Sequence, residues 1–183
     1  YKNATLQVTA KVKNYGDKAS EACTLTTALF NSEGKTVADK VQVDVPAIEA
    51  GQEKTVTLTM PVTAPAKWTA ETPTLYTTVL TLAKGKNEEI ISARTGFREI
   101  EIKGRIFTVN GVPIKLKGAN RHEHWPDSGH YVTEEKMIRD LEVLKQGNCN
   151  HVRTCNYSDD PRWYDLCDDR GIYLVAQANV DSH

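Results

Sequence analysis

Near residue 103 the hydrophobic period of the chain changes, and that change allows few architectures. Before it, apolar and polar residues alternate. Across residues 5–12, Leu6, Val8, Ala10 and Val12 fall on one face, because successive side chains of a strand point to opposite sides. Residues 55–60 repeat the pattern, and further strand-like runs occupy 23–30, 40–45, 75–82 and 89–93. Turn-forming clusters at 14–17, 31–34, 49–51 and 84–87 separate them. Thr and Val dominate, as in antiparallel strands with one wet face. Residues 1–102 are therefore expected to form an all-β sandwich of about seven strands and immunoglobulin-like size.

From residue 103 onward strands and helices alternate. Residues 104–114 read as a hairpin, with Asn110-Gly111 supplying the positive φ angles of its tight turn. Residues 114–120 read as a short strand. Thr133 can cap a helix through Gln146, with Glu134 and Glu135 in its first turn and Met137, Ile138, Leu141, Leu144 and Lys145 along one stripe. Gly147 is placed to end it. Residues 151–155 form the next short strand. Asp160-Pro161 then opens a second helix that runs to Gly171, since proline in the first helical position loses no hydrogen bond. Residues 172–176 are an apolar run typical of a strand covered on both faces. Strand, helix, strand, helix, strand implies right-handed crossovers and a parallel sheet. Three strands leave residues 103–183 as the opening of an α/β domain, and the start at Tyr1 reads as the middle of a longer protein.

Composition narrows the partners. The 183 residues are 39% hydrophobic and 26% charged with a net charge of −1, which offers no electrostatic case for nucleic acid or an anionic membrane. No stretch approaches the roughly 18 apolar residues of a membrane span. The four cysteines, Cys23, Cys149, Cys155 and Cys167, show no C-x-x-C pair and read as buried free thiols. That fits a reducing compartment without excluding a periplasm, so the choice between cytoplasm and periplasm stays open.

Ligands of parallel α/β folds gather at the carboxyl ends of the strands. The three loops there are residues 120–126 (Asn-Arg-His-Glu-His-Trp-Pro), 156–160 (Asn-Tyr-Ser-Asp-Asp) and 179–183 (Asn-Val-Asp-Ser-His). Four of the five histidines, His122, His124, His130 and His183, lie in or beside them. A zinc hydrolase would need three N or O ligands and a water. In an extended segment only His122 and His124 of the first loop could share a side, and Asp181 with His183 has the same alternate spacing. A sugar site would use carboxylates, His and Asn on hydroxyls and a Trp against a ring. A plain polar loop set is the third reading.

The residues also resemble family 2 glycoside hydrolases. The likeness runs through Val109-Asn110-Gly111, residues 117–124 (Lys-Gly-Ala-Asn-Arg-His-Glu-His), 150–154, 163–168 and 178–183, with 68–76 similar to the sandwich domain of that family. Asn-Arg-His-Glu-His favours its large β-galactosidases over the β-glucuronidase and β-mannosidase branches. The resemblance implies an immunoglobulin-like domain, 1–102, feeding the N-terminal part of a (β/α)8 TIM barrel, 103–183. The parent enzyme would hydrolyse terminal β-D-galactosyl residues with retention, using one Glu as acid/base and another as nucleophile. In the family both glutamates lie on later barrel strands, so the fragment alone is expected to be inactive. The resemblance further implies that His122 contacts substrate, that Arg153 lies beside the nucleophile, and that Asp181 and His183 ligate Mg²⁺. It also implies a homo-oligomeric parent. Asn156 stands where these enzymes usually carry a second substrate-contacting His, Gln177 where an acidic residue is more usual, and Asp181 where Glu is. These departures keep a non-catalytic carbohydrate-binding or scaffold module as the alternative.

Overall fold

A computed structural model describes residues 1–179. The chain divides into two compact units, Tyr1–Ala66 with Leu75–Phe97, and Lys67–Thr74 with Arg98–His183.

The first unit is built from six antiparallel strands, one fewer than the expected seven. β1 (Ala4–Lys13) and β4 (Glu53–Val62) pair as a two-stranded sheet, while β3 (Val41–Val45), β2 (Cys23–Phe30), β5 (Tyr76–Lys84) and β6 (Asn87–Thr95) form a four-stranded one in that order. The alternation read from the sequence is realised residue by residue in β1, where Leu6, Val8, Ala10 and Val12 are half-buried and the residues between them exposed. Opposite them stand Met60, Leu58, Val56 and Lys54 of β4. Leu29, Met60, Val62, Tyr76 and Phe97 form one apolar cluster with Ala4, Leu6 and Val41 against it. Leu25, Val45, Ile48 and Leu58 form another. Both sheets contribute to both clusters, as in a sandwich. Each fully buried Leu or Met contributes roughly 1.5–3 kcal/mol.

The second unit starts with a three-stranded antiparallel sheet of β7 (Ile100–Lys103), β8 (Ile106–Val109) and β9 (Val112–Pro113). Asn110 (φ 52°) and Gly111 (φ 78°) both adopt left-handed angles, which is the expected hairpin turn. Three parallel strands follow, β10 (Gly118–Arg121), β11 (His151–Thr154) and β12 (Tyr173–Val175), joined by α1 (Glu134–Gln146) and α2 (Pro161–Arg170). Met137, Leu141, Val152, Trp163, Cys167 and Ile172 bury one face of this sheet under the helices. The segment Lys67–Thr74 belongs here too. Trp68 is buried, its indole N–H donates to Asp168 O (2.8 Å), its ring meets Tyr173 edge-on at 5.5 Å, and the Arg98 guanidinium lies 4.5 Å from its ring centre. The Lys145 ammonium donates to Ala70 O and Gly171 O, which fastens the end of α1's stripe.

Several local expectations are corrected. The first parallel strand begins at Gly118, because the backbone before it is engaged by a side chain instead: Lys117 N donates to Asn150 Oδ1, and Asn150 Nδ2 donates to Lys115 O. Gly118 is obligatory, since a Cβ there would lie 1.7 Å from His151 O. Thr133 precedes α1 but makes no side-chain cap. Its hydroxyl serves Glu135, whose carboxyl is held below its ordinary range first by its own backbone N–H and then by Thr133. Gly147 does end α1 as its C-cap, but at φ −75°; the left-handed angle falls one residue later, on Asn148 at φ 54°, a conformation Asn tolerates. Asp160 does cap α2 through Arg162 N, and Gly171 ends it at φ 70°. The apolar run at 172–176 is covered unevenly: Ile172 is buried and Tyr173 half-buried against Trp68, while Val175 is 44% exposed. The four cysteines are free, but only Cys167 is buried, and burial pushes its thiol up to about 12.

Candidate functional site

The rim read from the sequence is present at the carboxyl ends of β10 and β11. His122 is the first residue after β10 and is exposed. The segment after it turns at once, because His124 N donates to His122 O at 2.8 Å. The extended geometry that would set His122 and His124 on a common side is therefore absent. Instead the rings form a chain. His122 stands 6.2 Å from Tyr157, Tyr157 stands 5.9 Å from His130, and His130 meets His124 edge-on at 5.3 Å. His130 Nδ1 lies 3.0 Å from Glu123 O, which favours the tautomer with its proton on that nitrogen. Among the described residues no three His, Cys, Asp or Glu side chains are grouped to hold a metal ion, so the three-ligand set of a zinc centre is not assembled there. Asp181 and His183 lie outside the described residues.

Arg153 pairs in register with Asn120 and Val175. Strand alternation puts all three on the face opposite Val152 and the helices. Among the described residues its Nη1 makes long contacts, 3.5 Å to Asn120 Oδ1 and 3.6 Å to Cys155 Sγ. Asn156 has a left-handed backbone (φ 72°), and its N–H donates to Gln177 Oε1 at 3.1 Å. Gln177 N in turn donates to the buried Thr154 Oγ1 at 2.8 Å. Asn156 and Gln177 are thus in direct contact. The structure brings His122, Arg153 and Asn156 to one rim, although no side-chain hydrogen bond links any two of them among the described residues.

Sequence reasoning missed what lies beneath. Arg121, 7% exposed, donates from Nε to Asp140 Oδ2 (2.9 Å) and from Nη1 to Asp159 Oδ2 (2.5 Å). Its guanidinium lies 3.9 Å from the centre of the buried Trp163 ring, and Glu123 Oε1 is 3.9 Å from Nη1. The Glu123 carboxylate accepts the Asp160 N–H (3.1 and 3.3 Å). Burial pushes the Asp159 carboxyl up against the pull of Arg121, and pushes Glu123 up against the pull of the Asp160 N–H. Asp160, bonded by the Arg162 guanidinium, is held down at about 2. The only sequence signal was an Arg adjoining His122 with acids scattered downstream, and nothing in their spacing joins them.

Known proteins resemble this chain in sequence and in fold. Residues 1–98 match the family "Glycosyl hydrolases family 2", and residues 100–183 match "Glycosyl hydrolases family 2, TIM barrel domain". A β-galactosidase of Photobacterium profundum is 46% identical over 127 residues, 68% of this chain and 12% of that protein. A β-galactosidase of Klebsiella pneumoniae is 39% identical over 188 residues, covering 100% of this chain and 18% of its own length. The chain thus spans less than a fifth of these curated relatives. Among solved structures, a Bacteroides uniformis β-glucuronidase superposes with a TM-score of 0.89 at 27% identity, over 98% of this chain and 22% of that one. Matched on both sides of the change in period, the chain belongs to glycosyl hydrolase family 2.

Proposed function

We propose that this chain is part of a retaining β-galactosidase, an immunoglobulin-like sandwich followed by the first strands of an eight-stranded catalytic barrel. The observation that carries the reading is the rim. A guanidinium without an ion pair among the described residues, Arg153, shares it with an exposed imidazole, His122, and an amide, Asn156. A retaining glycosidase needs a nucleophilic carboxylate kept ionised and partners for sugar hydroxyls. Arg153 meets the first need as an adjacent cation, and His122 and Asn156 meet the second. The acid/base and nucleophile glutamates are placed outside this chain, so the isolated fragment should not turn over substrate. Asp181 and His183 offer one hard oxygen and one nitrogen donor. The oxygen suits Mg²⁺ and the imidazole is a less typical ligand for it; the bound ion would supply positive charge beside the sugar.

The galactoside preference rests on the two relatives named β-galactosidase and on the Asn-Arg-His-Glu-His segment. The structural likeness to a β-glucuronidase supports a second reading, in which Arg153 faces a uronate carboxylate. A non-catalytic carbohydrate-binding module is a third, favoured by Asn156 and Gln177. The full-length protein should be assayed in parallel on chromogenic β-galactoside, β-glucuronide and β-mannoside. We expect turnover of the galactoside first. Faster cleavage of the glucuronide would replace the reading with the second, and sugar binding without turnover of any substrate would replace it with the third. Metal analysis of the same preparation should find magnesium, and stoichiometric zinc would count against the metal assignment.

A further inference from the structure

We propose that Arg121 is a positioning residue that locks the two rim loops to each other and so sets His122 and Asn156 for substrate. The substrate in this statement rests on the glycosidase reading above, whereas the locking is a matter of geometry alone.

Arg121 is the last residue of β10, and His122 follows it. From there its guanidinium reaches three other places: Asp140 on α1, Asp159 in the loop between β11 and α2, and the face of Trp163 on α2. On the other side of His122, Glu123 grips the same second loop through the Asp160 N–H. His122 is therefore held at both flanks by residues that fasten 156–160. Its ring meets Tyr157 of that loop.

Stability does not account for such a cluster. A buried ion pair adds little over apolar residues of the same volume, because desolvation consumes most of the attraction. Here one guanidinium faces three carboxylates, and Arg121 Nη2, Asp159 Oδ1 and Trp163 Nε1 have no hydrogen-bond partner among the described residues. A methionine could cover Trp163 without burying charge. What only arginine provides is a rigid planar fork that spans two carboxylates in fixed directions. That geometry fixes loop against loop, and a lysine can serve only one side of it.

The experiment compares the full-length protein with Arg121→Met, Arg121→Lys and Leu141→Ala. Leu141 lies in the same apolar core, and its side chain has no polar atom with which to bond a rim loop, so it controls for general loosening. Hydrogen exchange in residues 122–126 and 156–160 should rise together by at least tenfold in Arg121→Met and by less in Arg121→Lys. Leu141→Ala, which loosens the core without touching the Arg121 fork, should raise both by clearly less than Arg121→Met does. On the β-galactoside, Arg121→Met should lose on the order of a hundredfold in kcat/KM, mostly through KM. Wild-type exchange in either loop of Arg121→Met, or equal loosening in Leu141→Ala, would overturn the proposal. Should Arg121→Met fail to fold, Arg121→Lys and Asp159→Asn carry the same test, and wild-type exchange in both would overturn it. If the wild-type protein cleaves no glycoside, the substrate reading fails while the exchange data still decide the lock.

Discussion

Within the sandwich, the most deeply buried polar side chains are Thr27 and Thr78, whereas the parallel unit encloses Arg121 and Asp159 beneath its rim. The sandwich is organised by a property each residue carries alone, its hydrophobicity at a given parity along a strand. The parallel unit adds a property that exists only between residues, since Arg121 is acceptable in its core because Asp140, Asp159 and Trp163 surround it. Burial without such partners would cost several kcal/mol. One unit is therefore tolerant of conservative apolar exchange, and the other is sensitive to single partners of a network.

The sharpest way to break this comparison is at Gly118. Gly118→Val places atoms where His151 O already stands, so the β10–β11 pairing should fail and the parallel unit should lose protection from hydrogen exchange while the sandwich keeps its own. Equal loss in both units would show that the two are not distinct in this sense. Next in size, Trp163→Ala should cost about 3–5 kcal/mol and Leu29→Ala about 2–5 kcal/mol, each read as faster exchange in its own unit. Trp163→Ala should also raise the exchange of the rim loops, because it removes the surface on which the Arg121 guanidinium lies.

Acid acts on the parallel unit with both signs. Burial raises Asp159, Glu123 and Asp168 above the ordinary carboxylate range. Groups raised in the folded state bind protons more readily than in the unfolded one, so their contribution is complete below the ordinary carboxylate value and is lost as pH rises through the raised value. Asp160, held at about 2, works the other way. Its contribution is present above the ordinary value and lost as pH falls toward 2. Between those limits mild acid should tighten the parallel unit, and Asp159→Asn should flatten the dependence. Urea titrations followed by hydrogen exchange from pH 3 to 7 would show it, and loosening throughout that range would contradict the assignment.

Two smaller effects complete the series. Asn156→Val places a β-branched residue at φ 72° and should destabilise its loop by about 1–2 kcal/mol, whereas Asn156→Gly should keep the turn and lose only the amide. At the surface of the sandwich, Lys11 and Glu53 are 3.7 Å apart and largely exposed, so Lys11→Ala should change stability by less than about 0.5 kcal/mol. A larger effect there would mean that pairwise electrostatics matters in both units.

Legibility followed the same division. The β1 alternation, the Asn110-Gly111 turn and the Asp160-Pro161 helix start were readable because each is a local preference of one to three residues. The expected strand at 114–117 was not formed because Asn150, distant in sequence, occupies its backbone groups. Gly147 ends the helix where the sequence put the stop, yet the left-handed position went to Asn148. At the rim, the positions of His122 and Asn156 were readable from their loops, whereas Arg153, within a strand, was named from the family resemblance alone. Tyr157 between two histidines was not readable, nor was Gln177 against Asn156, since both contacts join segments separated in sequence.

The sequence by itself determined the order of elements, the antiparallel and parallel grammar on either side of residue 103, and the family. These follow from hydrophobic period, turn chemistry and long ordered motifs, all of which act within a few residues. Only the tertiary structure decided that Gly118 must be glycine, that Trp68 packs with the parallel unit, and that Arg121 sits buried between acids from α1 and the β11–α2 loop. Desolvation and ion pairing depend on which groups meet in space, and that meeting is created by the fold as a whole.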